Sequence, residues 1–179
     1  MQCSREVPQR RGHPVRVRPI GVISEAARCF ARTVALVASG RLHLRTPVQA
    51  IVSLPDGRTY TVFRESTCDG SSAAPVLLSV WFHLRGVPAG ATLRRRLFER
   101  LCIVNTVLFA GFDGYLVKLW MVDPATSDYA GLYSWSSATE AEHYGRYITT
   151  ILQPLSTPGS VGYEVDSTTT LDDYLARQR

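Results

Sequence analysis

The side chains able to do chemistry are few and widely spaced. Of the four histidines, His83 and His143 fall inside regular elements. His83 lies two residues after Trp81 in an alternating stretch, and His143 lies in the first turns of a well-signalled helix. Each is a candidate general base. Each also has an ordinary reading, His83 as a strand-end surface residue and His143 as a solvated position beside Glu140 and Glu142. The single lysine, Lys118, precedes Trp120 by two residues, so the two share one face of a strand. Its ammonium could stabilise an enolate or phenolate, or form a salt bridge within the sheet or across a dimer. Trp81, Trp120, Tyr133, Trp135 and Tyr144 would line an aromatic pocket, or build an ordinary aromatic core. Asn105 sits close to an apolar helical stripe and is either a pocket-facing amide or a solvent-facing one.

Other chemistries find no support in the spacing. There is no pair of carboxylates at a useful separation, no nucleophile elbow, no P-loop and no dinucleotide fingerprint. The four cysteines, 3, 29, 68 and 102, form no CxxC and no Cys/His ladder, so no metal site is expected and a reducing cytoplasm is the natural setting. The mildly apolar segment Cys29–Ala38 is interrupted by Arg32 and begins late for a signal peptide. No apolar run is long enough to span a membrane.

Charge is unevenly placed along the 179 residues, whose formal net charge is +5. Residues 1–45 hold nine arginines against Glu6 and Glu25, a net +7, and the remainder carries eleven basic and thirteen acidic side chains, a net −2. The basic character therefore belongs to the N-terminal end. That end lacks interleaved aromatics or a binding motif, so nucleic acid is not an expected partner.

The elements that must position these residues can be read in order. Residues 1–20 are rich in Arg and Pro and are expected to be a flexible basic arm. Residues 21–70 read as an extension made of a helix and a β-hairpin. The helix starts at the N-cap Ser24, presents Ile23, Ala27, Phe30, Val34 and Val37 as a docking face, and stops at Gly40. The hairpin pairs Pro47–Leu54 with Thr59–Glu65 around Pro55-Asp56-Gly57.

From residue 75 the pattern is strand, helix, strand, strand, helix, strand. Pro75–Arg85 alternates an apolar face (Val76, Leu78, Val80, Phe82, Leu84) with a mixed one that carries Trp81 and His83. Thr92–Ala110 reads as a helix with Leu93, Leu97, Leu101 and Leu108 on one stripe. Tyr115–Val122 and Tyr129–Trp135 form a second hairpin. A capping box, Ser137-Ala138-Thr139-Glu140, opens the second helix, and Ser160–Asp166 is the last strand. Residues 169–179 form a short amphipathic tail. This is an α+β, ferredoxin-like βαββαβ domain over residues 75–168, with one four-stranded antiparallel sheet and both helices on one face. Its other face would be exposed and apolar unless a second copy covered it, which predicts a homodimer.

These residues also carry a family resemblance. Gly114–Trp120 with its Lys118-x-Trp120 piece, Ala130–Trp135 with Gly131-x-Tyr133-x-Trp135, the helix holding Ala141 and Tyr144, and the strand Gly159–Val165 resemble the YdhR-like monooxygenase family. That family belongs to the dimeric α/β-barrel superfamily, and the likeness covers about residues 75–176. It implies a dimeric α/β barrel with a pocket between sheet and helices. It also implies oxygenation of a small aromatic or polyketide-like substrate without a cofactor, in which His83 or His143 would deprotonate the substrate and Lys118 would stabilise the anion. A non-catalytic, dimeric module holding a small apolar ligand or a partner protein is the alternative. Haem binding or degradation is a further one. It would need a proximal histidine facing the pocket, and the only histidine on the second helix, His143, is one step off its apolar stripe.

Overall fold

The structure is a computed structural model that describes residues 19–46, 50–54, 57–86 and 109–178 of the chain. The expected helix over Thr92–Ala110, and Asn105 with it, lies outside the described residues apart from Phe109 and Ala110, which form a turn. The basic arm lies outside them as well, apart from Pro19 and Ile20, which open the first helix.

The central hairpin forms where the alternation places it. β5 (Tyr115–Val122) and β6 (Asp128–Trp135) pair antiparallel, with Lys118 opposite Tyr133 and Trp120 opposite Gly131. Asp123 closes the turn between them. Its carboxylate accepts from Ala125 N–H at 2.8 Å and from the Thr126 hydroxyl at 2.9 Å, and Ser127 takes a positive φ of 63°. An Asx-type turn of this kind replaces backbone partners with a short side chain.

β4 (Val76–His83) pairs with β6 on one side and with β7 (Gly162–Asp166) on the other. The order β7-β4-β6-β5 is that of the ferredoxin-like split βαβ unit. The sheet does not stop there. β3 (Thr59–Cys68) pairs with β5, and β1 (Leu42–Arg45) and β2 (Ile51–Ser53) both pair with β3, giving seven strands where the sequence pattern predicted four. The hairpin is thus part of the main sheet. Its long strand is buried at Tyr60, Val62 and Ser66, and the Tyr115 hydroxyl ties β5 to β3 by donating to Ser66 C=O at 2.8 Å. The strand runs three residues past Glu65, where the sequence pattern ends it, and its mixed residues give no sign of pairing on both edges.

α2 (Ala138–Leu152) begins at the expected N-cap. The Ser137 hydroxyl accepts from Glu140 N–H and donates to the Glu140 carboxylate at 2.9 Å. The helix buries Ala141, Tyr144, Tyr147, Ile148 and Leu152 against Val76, Leu78 and Val80 of β4 and Tyr133 and Trp135 of β6. Gly145 is required where α2 crosses β7, because a Cβ there would lie 2.5 Å from the Tyr163 ring.

The opposite sheet face packs Leu77, Leu119, Met121 and Leu132 with Val52, Leu54, Tyr60 and Val62. The C-terminal helix α3 (Leu171–Ala176) adds Leu171, and it is latched by Tyr174 Oη donating to Ser53 C=O at 2.6 Å. This is the face whose exposure motivated a homodimer. One chain already buries it, with its own hairpin and tail.

α1 (Pro19–Ala38) begins at Pro19, ahead of Ser24, consistent with the fixed φ of proline suiting a first helical position. Its contact with the body also differs from the predicted one. Cys29 and Thr33 face inward, and Gly111 passes so close to the Cys29 carbonyl that no side chain fits between them. Phe30, Val34 and Val37, expected to dock, are exposed.

Candidate functional site

Lys118 is the residue around which a site is built. Its side chain is buried, with only 4% of the residue exposed. The ammonium lies 3.1 Å from the centre of the Trp120 ring, 4.1 Å from that of Phe109 and 4.8 Å from that of Tyr133. A buried ammonium is costly unless its charge is compensated, and the negative π faces of three rings supply part of that compensation.

The local sequence explains the box. Lys118 and Trp120 project from the same face of β5, and Tyr133 lies directly across on β6. The Tyr133 ring can fold back over its own strand because residue 131 is glycine; a Cβ there would come within 2.7 Å of the ring. Phe109, fully buried, closes the third side against Tyr115, Trp120 and Tyr133.

Behind the box the aromatic packing continues through Trp135 and Tyr144, whose ring centres are 4.9 Å apart. The hydroxyls of Tyr133 and Tyr144 share a buried hydrogen bond of 3.2 Å. Burial, reinforced by the neighbouring Tyr133, pushes the Tyr144 phenol well above its ordinary range, so it is a neutral hydrogen-bonding group rather than a base at physiological pH. The indole N–H groups of Trp120 and Trp135 are buried with no hydrogen-bond partner among the described residues. Such groups are rare, because each forfeits the hydration it had in water.

A cavity of about 20 Å³ adjoins the box, lined by Lys118, Trp120 and Tyr133 together with Phe63, Phe82, Tyr129, Gly131 and the α2 residues Ile148 and Leu152. It has room for one water-sized group, whereas whole drug-sized ligands occupy roughly 300–1,000 Å³. A ring enters this site only if side chains at its rim turn aside. A larger recess of about 220 Å³ lies on the opposite sheet face, lined by Leu77, Ser79, Glu164, Asp166, Ser167 and Tyr174. It contains neither the lysine nor any of the tryptophans.

The structure separates the sequence candidates. Lys118, Trp120, Tyr133, Trp135 and Tyr144 come together on the α2 side of the sheet. Trp81 and His83 project from the other side of β4, where Trp81 covers Gly162 of β7. His83 Nδ1 is 2.7 Å from an Asp128 carboxylate oxygen, with Arg58 3.6 Å from the other oxygen. His143 is exposed on α2 and pairs with Glu25 of α1 at 2.8 Å. Phe109, which closes the box, and Phe63, Phe82 and Tyr129, which line the cavity, are not marked as site residues by the sequence. Only the position of Phe109, just before Gly111, hinted that it turns inward.

The described residues offer no proximal histidine to a haem at this cavity. None of the histidines among the described residues lines the cavity, and the one on α2 is held by Glu25. Among the described residues no group of three or more His, Cys, Asp or Glu could hold a metal ion.

Comparison with known proteins gave structural neighbours only. No protein-family model and no curated protein matches the sequence. The haem-degrading enzyme of Listeria monocytogenes superposes with a TM-score of 0.43 at 15% identity, over 74% of this chain and 90% of that one. An uncharacterized ferredoxin-fold protein related to antibiotic biosynthesis monooxygenases, from Listeria monocytogenes 4b F2365, gives a TM-score of 0.43 at 12% identity, over 74% of this chain and 85% of that one. The ferredoxin-like arrangement of this chain follows from its own strand order.

Proposed function

We propose that the protein is a monooxygenase-like enzyme that takes a small, electron-rich aromatic as its phenolate or enolate, with Lys118 as counter-charge. The observation that carries this reading is the ammonium held at a buried cavity against the Trp120 and Phe109 rings. Trp120 lines the same cavity, and its indole N–H, which has no hydrogen-bond partner among the described residues, can serve as a second donor to an anionic oxygen. Of the segments that resemble YdhR-like monooxygenases, β5 and β6 supply Lys118, Trp120, Gly131 and Tyr133 to the cavity wall, which supports the same reading.

The chemistry assigned to the chain is modest. A cation fixed in a dry site lowers the pKa of a phenol or enol bound beside it, so the substrate gives its proton to water. The bound anion then passes one electron to dioxygen, and the two radicals join in a C–O bond. The O–O bond breaks, leaving one oxygen atom as a new carbonyl and the other as water, which takes up the hydrogen of that carbon and the proton released on ionisation. Lys118 holds the anion throughout, and the surrounding rings exclude water. The cavity is built within one chain, so this reading does not depend on a second copy.

The test is oxygen uptake by the full chain with an anthrone-like substrate. One O₂ consumed per quinone formed, reduced at least about tenfold in Lys118→Met, is expected. Uptake no faster than in buffer overturns the oxygenase reading. A second reading, a binding module without turnover, is favoured by the engagement of both His83 and His143 with carboxylates away from the cavity. Lys118-dependent binding of the phenolate without uptake would establish that alternative.

A further inference from the structure

β4 and β7 bring a second set of polar side chains to the sheet face opposite Lys118. Their antiparallel register sets Ser79 directly across from Glu164 and Leu77 across from Asp166. All four line the recess of about 220 Å³, whose wall Ser167 and Tyr174 of α3 help to complete. Glu164 is exposed and Asp166 is half-buried. The Asp166 carboxylate accepts from the Thr168 hydroxyl at 2.7 Å and from Thr168 N–H at 2.8 Å. These bonds, the hydroxyl foremost, hold its carboxyl below the usual carboxylate range, so it is charged at physiological pH. No lysine, arginine or histidine lines the recess among the described residues.

Ser79 points to a ligand. The residue is only 6% exposed, and its side chain makes no hydrogen bond among the described residues although Glu164 stands across from it. Buried hydroxyls without a partner are uncommon, and one set in an acidic recess can accept from a cationic donor. We propose that this recess binds a small α,ω-diamine as its dication, one ammonium meeting Glu164 and Ser79 and the other meeting Asp166 and Ser167.

The spacing favours a ligand with two charged ends. Glu164 and Asp166 share one face of β7 two residues apart, so their Cα atoms stand roughly 6.6 Å from one another, a span that the carbon chain of putrescine bridges. Leu77 and the Tyr174 ring give apolar surface for the methylenes between. The volume is below the roughly 300–1,000 Å³ of sites for drug-sized ligands, as suits a short chain. A divalent metal ion would need about six oxygen ligands around one point, and no group of three or more His, Cys, Asp or Glu is placed for that among the described residues. The recess shares no lining residue with the Lys118 cavity, so this site stands or falls separately from the oxygenase reading.

The experiment is isothermal titration of the full chain at neutral pH with putrescine, with butylamine, which has a single ammonium, and with calcium chloride. One putrescine bound per chain, more weakly as salt is raised, is the expected result. Affinity should fall at least about tenfold in Glu164→Gln and about fivefold in Ser79→Ala, and butylamine should bind at least about tenfold more weakly than putrescine. Glu164 is exposed and Ser79→Ala only removes a hydroxyl, so both variants should fold, and unchanged thermal transitions check that they do. No binding of putrescine, undiminished binding by either variant, or butylamine binding as tightly as the diamine would each overturn the proposal. Glu164-dependent binding of calcium in place of putrescine would also overturn it, by assigning the recess to a metal ion.

Discussion

Lys118 Nζ lies 3.1 Å from the centre of the Trp120 ring, although the two residues are neighbours on one face of one strand. The ammonium is folded onto the indole instead of reaching for water. Replacing it with methionine keeps the length of the stem and removes the charge. Lys118→Met should cost no more than about 1 kcal/mol in urea denaturation, since burying an ammonium is itself expensive. It should weaken binding of a naphtholate probe at least about tenfold, the loss of one charge-assisted contact. Lys118→Arg should not restore it, because a planar, delocalised guanidinium does not take the place of a compact ammonium packed against the Trp120 ring. Wild-type affinity in either variant would remove Lys118 from the site.

Gly131 lies under the Tyr133 ring, where a Cβ would come within 2.7 Å. Gly131→Ala should turn that ring away from Lys118, at a cost of roughly 1–3 kcal/mol typical of overpacking. Probe affinity should fall together with stability, whereas Gly145→Ala, which crowds Tyr163 on β7 instead, should lower stability with less effect on affinity. Titration of the probe against both variants, alongside their denaturation curves, separates the two effects.

His143 and Glu25 join α2 to α1 through an exposed pair at 2.8 Å. His143→Ala should leave probe affinity within about twofold and global stability within about 1 kcal/mol, as for most exposed ion pairs. Faster amide exchange in α1, with α2 unchanged, is the expected signature. A large loss of affinity would return His143 to the pocket.

The strands that carry the site were legible because local rules and tertiary packing agree there. β5 is bounded as its alternation predicts, and Ser137 caps α2 as its spacing predicts. Pairing partners were harder to read. Thr59–Cys68 alternates Tyr60 and Val62 with residues that meet neighbours on both edges, and nothing local marks β5 as the second neighbour. α1 misled for a related reason: its most apolar side is the exposed one, and it docks through Cys29 and Thr33 because Gly111 allows close approach. Within the site, the aromatic cluster was visible as composition. The burial of Lys118 was not, since a lone lysine on a strand usually reaches solvent, and the separation of Trp81 from Trp120 depends on which strand face meets α2.

Ser137 accepts from Glu140 N–H, and the Glu140 carboxylate takes hydrogen bonds from the Ser137 and Ser136 hydroxyls. Gly114, with φ of 78°, sits beneath that carboxylate and couples the cap to the start of β5. Ser137→Ala should therefore destabilise the fold by about 1 kcal/mol, and Ser137→Thr or Ser137→Asp should retain most of the stability. Equal stability of the alanine variant in urea denaturation would show that Glu140 and Ser136 suffice without the cap.

Alkaline pH should expose the buried phenols. Tyr144 and Tyr115 are pushed well above the ordinary phenol value of 10.0, in both cases chiefly by burial, and Tyr147 is raised to about 12 for the same reason. The folded state thus keeps protons that the unfolded chain releases, so unfolding is favoured as these phenols ionise. Stability should be level below about pH 10 and fall above it, each fully buried tyrosine contributing up to about 1.4 kcal/mol per pH unit. Tyr147 should cease to contribute near pH 12, where its folded form also ionises. Tyr144→Phe should begin about 1 kcal/mol less stable at neutral pH, through loss of the hydrogen bond to Tyr133, and then decline less steeply. Urea denaturation at about pH 8 and about pH 11 reads both effects. Parallel declines in the wild type and Tyr144→Phe would mean that this hydroxyl does not govern the alkaline transition.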